Sequence, residues 1–208
     1  MQYYIFLLPL YLKIMESIKR HIKPGGVYRR SDLEYFSSAV DRHLSRLTKN
    51  GSLLKLSQGL YYAPKKSKFG TVPPNDKDLV ERFLKDDNFL LLSPNSYNSL
   101  RVGLTQLYNT TWVYNHKRRG EFKLNGKKFL FKLKAGFPKR LNNEFLVVDL
   151  LNNLDELADD SAKVVRNINN NLDRFDVNKL VKMAKHYGSG ETKKVILKTV
   201  RNKQLLNA

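Results

Sequence analysis

The stretch Ser38-Ala-Val-Asp-Arg-His-Leu-Ser-Arg-Leu-Thr-Lys49 decides how the N-terminal part of this chain folds. With Val40 at zero and about 100° per residue, Leu44 falls at about 40° and Leu47 at about 340°, forming one apolar stripe. Ser38, Arg42, Ser45, Arg46 and Lys49 fall between about 140° and 240°. The face opposite the core therefore holds three cations and two hydroxyls, while Asp41 lies to the side at about 100°. Asn50-Gly51 follows and predicts a clean helix end, because these residue types tolerate the left-handed conformation that closes a last turn.

Working outward, Ile14, Ile18 and Ile22 repeat at helical spacing until Pro24-Gly25-Gly26 ends the run. Val27-Tyr28 reads as a short extended piece. Ser31-Asp-Leu-Glu34 has the spacing of a capping box, with the hydroxyl on an early helix N–H and the Glu reaching back. Downstream, Leu53–Leu56 and Leu60–Ala63 alternate on either side of Ser57-Gln58-Gly59, a hairpin with a Gly for the positive φ. Helix, short strand, helix, helix, hairpin is the order of a winged helix-turn-helix. Lys65-Lys66-Ser67-Lys68 through Pro73-Pro74 reads as a polar linker. The expected fold class is α+β: a winged helix-turn-helix over residues 1–68, then a mixed α+β domain over 75–208 that ends in helices.

Composition names the kind of partner. The 208 residues hold 38 Lys+Arg against 19 Asp+Glu, a formal charge of +19, which calls for a polyanion. Residues 1–70 carry +9, 71–140 carry +8 and 141–208 only +2. With no Cys, thiolate zinc sites, disulfides and cysteine nucleophiles are excluded. The apolar start, Tyr3 to Leu12, is shorter than the roughly 20 residues a membrane span needs and lacks the flanks of a signal peptide. It is expected to pack on a neighbouring element of a cytoplasmic protein that binds no membrane. Met15 is an alternative start that would make residues 1–14 an extension.

On the basic helix, a major groove admits a single helix and an Arg can take two acceptors of a guanine edge. Ser38, Arg42, Ser45, Arg46 and Lys49 are thus the expected reading residues on double-stranded DNA. Arg29 and Arg30 would clamp the backbone beside them. Lys55, Gln58 and Lys65 would line the wing.

In the second domain a helix is expected from Asp76 to Lys85 and another near Asn95–Val102. Strand-like pieces follow at Thr110–Asn115, Gly120–Leu124 and Lys128–Lys134. Asn125-Gly126 between the last two is a strong hairpin signal. Helical pattern returns over Glu144–Leu157, Ala162–Asn167, Val177–Tyr187 and Thr192–Leu206. Residues 117–140 hold ten cations and one acid, Glu121. Phe129, Phe131 and Leu133 alternate with Lys128, Lys132 and Lys134, which predicts one apolar and one basic sheet face. That face would meet more DNA, an RNA or an acidic protein, or its lysines would simply block edge pairing.

Catalytic chemistry is not indicated. His21, His43, His116 and His186 are scattered without metal-ligand spacing, no phosphate-binding loop is present, and no cofactor or metal is implied. Asp176, Glu191 and Lys193 form a weak carboxylate–lysine pattern that a metal-dependent nuclease would need. These residues fit better as helix starts.

The hairpin ending Gln58-Gly-Leu-Tyr-Tyr-Ala-Pro64, the segment Ser93–Leu104 with Gly103-Leu-Thr-Gln106, and the basic hairpin through Lys134 together resemble the AbiEi antitoxins of type IV toxin–antitoxin and phage abortive-infection systems. The resemblance runs from about Met15, and the last sixty residues share only the helical pattern. It implies a winged helix that binds promoter repeats and represses its own operon. It also implies a C-terminal domain that counters a nucleotidyltransferase toxin, commonly without a stable complex. Lys117, Arg118, Arg119, Lys123, Lys127 and Lys128 are then the candidate antitoxin patch, covering an RNA that such a toxin modifies. A winged-helix regulator with a ligand-sensing or dimerising domain is the alternative reading.

Overall fold

A computed structural model of the chain describes residues 18–206. The apolar start and the question of Met15 lie outside the described residues. The protein is a mixed α+β structure in two units. Residues up to Asp87 together with Phe122–Lys128 form one, and Asn88–Glu121 with Phe129 onward form the other.

In the N-terminal unit a helical stretch over residues 18–21 (α1) is followed by β1 (Val27–Arg29), α2 (Arg30–Glu34) and α3 (Val40–Lys49). Strands β2 (Leu54–Ser57) and β3 (Leu60–Tyr62) complete an antiparallel sheet of order β1-β3-β2. The core is Ile18, Leu33, Val40, Leu44, Leu47, Leu53 and Ala63, so the apolar stripe of α3 is the stripe that is buried. His43 joins that buried side, and its Nδ1 lies 2.7 Å from Ser37 Oγ.

The local starts differ from expectation. Asp32, not Glu34, closes the capping box of α2 by accepting the Arg29 N–H at 3.1 Å, because the helix begins two residues earlier than the Ser-to-Glu spacing implies. Helix α3 begins at Val40 behind Ala39, with no side-chain cap. Ser38 therefore precedes the helix instead of riding on its outer face.

The expected linker is a hairpin. Strands β4 (Lys65–Ser67) and β5 (Gly70–Val72) pair antiparallel, Lys65 with Val72 and Ser67 with Gly70. Lys65 consequently opens a second hairpin and is not part of the first. Helix α4 (Asp76–Leu84) follows, capped by Asn75 accepting the Lys77 N–H, and it belongs to this unit, as does the tip around Asn125-Gly126. Asn125 and Gly126 at φ +49° and +77° give the tight turn their pairing predicts. At this tip the Asn125 N–H donates to Leu56 O at 3.3 Å, and Phe122 meets Phe83 edge-on.

Most of a four-stranded sheet of order β6-β7-β9-β8 belongs to the second unit; its strands are β6 (Phe89–Leu92), β7 (Thr110–Asn115), β8 (Gly120–Leu124) and β9 (Lys127–Leu133). A 3-10 helix, Pro94–Leu100, is capped by Ser93. Helices α5 (Asn143–Asn152), α6 (Ser161–Asn170), α7 (Val177–Tyr187) and α8 (Gly190–Leu206) follow. In α5 the seven consecutive residues from Glu144 to Leu150 are all buried. A helix buried on every side is a central one, and α5 is the core around which this unit is built. Among the described residues no helix is long and apolar enough to cross a membrane.

Candidate nucleic-acid interface

Helix α3 presents its two faces as the angles demand. Leu44 and Leu47 are 1% and 0% exposed, while Arg42, Ser45, Arg46 and Lys49 are all exposed. One helix turn separates Arg42 from Ser45 and Arg46, and the next carries Lys49, so the four form a continuous outer strip. Beneath it, burial and then the charges of Arg46 and Arg42 hold the His43 imidazole below its ordinary range. The helix thus keeps a neutral ring inside and cations outside.

The strip is bordered by the first hairpin. A cleft of about 330 Å³ is lined by Asp41, Ser45, Thr48, Lys49, Lys55 and Tyr61, joining the outer edge of α3 to strands β2 and β3. Lys55 and Gln58 are exposed on that hairpin. No acid occurs between Asp41 and Asp76, a stretch that carries seven cations.

Arg29 and Arg30 are placed differently from a pair of backbone clamps. The Arg29 guanidinium is half-buried and donates to both oxygens of Asp32, at 2.9 and 3.1 Å. Burial alone would raise the Asp32 carboxyl, but these hydrogen bonds outweigh it and leave the group below its usual range. Arg30 donates through Nε and NH2 to the two oxygens of Asp41, each at 2.7 Å, and also reaches Glu34. The hydrogen bonds from Arg30 hold Asp41 below the carboxylate range. Arg30 therefore ties the start of α2 to the first turn of α3. Nothing in its position in the sequence distinguished that role from a clamp.

Two exposed aromatics escaped the sequence reading. Tyr35, between α2 and α3, is 88% exposed, and Phe69, at the tip of the second hairpin, is fully exposed. Nothing in the neighbouring sequence marked either ring as exposed: Tyr35 has Leu33 at strand spacing and Phe69 has Val72 three residues on.

The second basic stretch is divided by the fold. Lys117, Arg118 and Arg119 are exposed in the turn between β7 and β8, where Asn115 Oδ1 accepts the N–H groups of Lys117 at 2.8 Å and Arg118 at 2.6 Å. Lys123, Lys127 and Lys128 are exposed at the other end of β8 and β9, within the N-terminal unit, and Lys127 pairs with Asp76 at 2.7 Å.

The expected solvated basic face of β9 is not there. Phe129 and Phe131 are buried as predicted, but Leu133 is 52% exposed. Lys132 lies 3.5 Å over the Trp112 ring, donates to Asn153 Oδ1 at 3.1 Å and to Glu156 at 2.6 Å, and Lys134 covers the Tyr114 ring. Desolvation lowers the Lys132 ammonium pKa against the pull of Glu156. The physical reason is that helix α5 and the segment after it put Asp149, Asn153 and Glu156 on that side of the sheet. Asp149 is 2% exposed and accepts from Tyr97 at 2.7 Å, Tyr114 at 2.9 Å and Asn153 at 3.3 Å. Burial pushes its carboxyl up, and burial first and then the Asp149 charge push the Tyr97 and Tyr114 phenols up.

The weak nuclease pattern takes helix-start positions: Asp176 caps α7 by accepting the Lys179 N–H, and Glu191 lies in the first turn of α8 beside Lys193. Among the described residues no cluster of three or more His, Asp or Glu is placed to hold a metal ion.

No curated protein matches the chain. Residues 13–161 match a family model described as a family of unknown function, DUF6088, and because that match covers well over half of the sequence, the chain belongs to this family.

Proposed function

We propose that this protein is a DNA-binding autorepressor whose N-terminal unit acts as a winged helix-turn-helix, with α3 as the recognition helix and the β2–β3 hairpin as a short wing. The observation that carries the proposal is the outer strip of α3, where Arg42, Ser45, Arg46 and Lys49 are exposed above a buried apolar face. A helix about 10–12 Å across fits a major groove about 12 Å wide, and guanidinium groups on its outer side reach base edges there. The α1-β1-α2-α3-β2-β3 order and the β1-β3-β2 sheet support the same reading.

With the resemblance to AbiEi antitoxins, the fuller proposal is a cytoplasmic, non-catalytic antitoxin of a type IV toxin–antitoxin system. It silences its own operon through operator DNA and counters a nucleotidyltransferase toxin through the second unit. Lys117, Arg118 and Arg119 in the β7–β8 turn are the residues proposed to cover an RNA target of that toxin.

Two experiments test this reading. Fluorescence anisotropy with a duplex from the region upstream of its own reading frame should give saturable binding that random duplex does not match. Co-expression with a nucleotidyltransferase encoded beside it should restore growth, and charge reversal at Lys117, Arg118 and Arg119 should abolish the rescue. Rescue by a folded charge-reversed protein refutes the patch. Absence of preferential binding refutes the repressor.

A further inference from the structure

The second hairpin has no role in the recognition helix or its wing, yet it is held firmly. Its return strand is anchored by the buried Tyr62, whose hydroxyl donates to Val72 O at 2.6 Å. Its tip is shaped by Ser67, whose Oγ accepts the Phe69 N–H at 3.2 Å and donates to Gly70 O at 3.0 Å. Gly70 sits at φ +108°, which a side chain would resist. The result is a tight two-residue tip, Lys68-Phe69, on a ribbon in which every residue from Lys65 to Val72 is exposed.

A fixed tip carrying a fully exposed phenyl ring contributes nothing to the fold's own core. A single exposed ring is ordinary on a protein surface; this one is set apart by the shaped tip that holds it away from the core and by the lysines of its ribbon. Its surroundings identify the chemistry. Lys65, Lys66 and Lys68 lie on the same ribbon, Lys65 at its base and Lys68 in the tip beside Phe69, and no carboxylate occurs in the 34 residues between Asp41 and Asp76. Lysines are depleted where one protein buries another, so a protein partner fits this tip poorly. An anionic polymer with planar apolar groups in its interior fits it well.

Topology places the ribbon usefully. Tyr62 pairs with Leu54, and the neighbouring Leu53 N–H donates to Leu47 O near the carboxyl end of α3. The ribbon thus leaves the three-stranded sheet at the end next to α3's last turn, whereas the Ser57-Gln58-Gly59 turn lies at the sheet's other end.

We infer that the β4–β5 hairpin is a minor-groove arm that inserts the Phe69 ring between two base pairs of duplex DNA, with Lys66 and Lys68 on the flanking phosphates. This rests on the DNA-binding reading above. A narrow minor groove, about 6 Å wide, takes a single ring but not a helix, and apolar wedges there partly unstack a step and kink the duplex. The duplex bound by this protein is therefore bent.

The test uses the full chain and the same upstream duplex, labelled at its two ends with a donor and an acceptor fluorophore. Wild type should shorten the end-to-end distance. Phe69→Ala should bind about tenfold more weakly with the bend lost, as expected for removal of one stacked or inserted ring. Phe69→Leu should keep much of the bend, since a branched aliphatic also wedges. The double variant Lys66→Ala/Lys68→Ala should flatten the plot of log affinity against log salt by about 2, while Phe69→Ala leaves that slope unchanged. Unfolding temperature serves as the control and should not move, because the side chain is wholly in solvent. If wild type binds and Phe69→Ala binds and bends equally well, the arm is wrong and the recognition helix stands. If Phe69→Ala alters only the protein's association state, the tip is a protein contact and the inference is overturned. If wild type ignores the duplex altogether, the DNA-binding reading itself has failed.

Discussion

Helix α3 keeps Arg42, Arg46 and Lys49 in solvent, whereas strand β9 lays Lys132 over the Trp112 ring and Lys134 over that of Tyr114. Both segments alternate cations with apolar residues at their own periods, and both read from sequence as one apolar and one basic face. The difference lies in what surrounds each element. A surface helix touches its core along one stripe, so residues opposite that stripe lie on the exposed side. A strand paired on both edges, like β9 between β7 and β8, can be covered on both faces. Its lysines then lie along aromatic surface by their alkyl stems and take carboxylate or amide partners. Basic alternation in an interior strand is therefore weak evidence for a binding face, and a basic strip on a helix with a buried back is stronger.

The sharpest way to break this contrast is to attack the covered face. Asp149 accepts from Tyr97, Tyr114 and Asn153 in a site closed to water. Asp149→Ala leaves those donors without an acceptor and should destabilise the protein by about 3 kcal/mol or more in urea unfolding. Asp149→Asn, which keeps one carbonyl acceptor, should cost distinctly less. A loss below about 1 kcal/mol for the alanine variant would show that the network is wet and that β9's face is open after all.

The complementary substitution attacks the outer strip. Arg42→Ala or Arg46→Ala should weaken operator binding by about 1–3 kcal/mol and relax base preference, with unfolding unchanged. Equal loss on every duplex would reduce that residue to a phosphate contact. Smaller still is the effect expected of Lys132→Met, which keeps the stem over Trp112 and removes the charge. Nucleic-acid affinity should stay at the wild-type value, with stability within about 1 kcal/mol, because the charge faces Asn153 and Glu156. A fall in affinity would place Lys132 in a binding surface.

Much of this fold was legible because it follows from short-range rules. The α3 stripe, the stop at Asn50-Gly51, the Asn125-Gly126 turn and the Tyr187-Gly188 end of α7 each depend on a few neighbouring residues, and each stands where those residues require. What escaped depends on partners distant in the chain. Arg30 reads as a clamp until Asp41, eleven residues on, takes its guanidinium. Lys65 to Val72 reads as linker because its strands are three residues each and its anchor is the Tyr62 hydroxyl. Lys132 reads as exposed until the segment after α5 supplies Asn153 and Glu156 as its partners. In the candidate site the exposure of Arg42, Ser45, Arg46 and Lys49 was recoverable from angle, whereas the place of Ser38 before the helix and the exposure of Tyr35 and Phe69 were not, since exposure of an aromatic is a property of what fails to pack on it.

The two faces of α3 are finally linked through His43, and acidity is the means to test that link. The imidazole is buried beside Ser37 with its pKa held below the ordinary 6.5, by desolvation first and by the neighbouring Arg46 and Arg42 charges next. In the unfolded chain the same ring titrates near its ordinary value. As pH falls through 6.5 the unfolded state gains a proton that the folded state resists, so stability declines with acidity until the folded ring itself protonates. The carboxylates of Asp32 and Asp41, with lowered pKa values, begin to lose their contribution only at still lower pH, so the first acid loss belongs to the histidine. Amide exchange of α3 backbone groups, normalised for intrinsic rates, should therefore show lower protection at pH 5.5 than at pH 7.5, both chosen about one unit either side of the free imidazole value. His43→Gln should shrink that difference. An unchanged pH dependence in the variant would mean that the ring is hydrated in the folded protein, and that the cationic strip does not rest on a dry, neutral base.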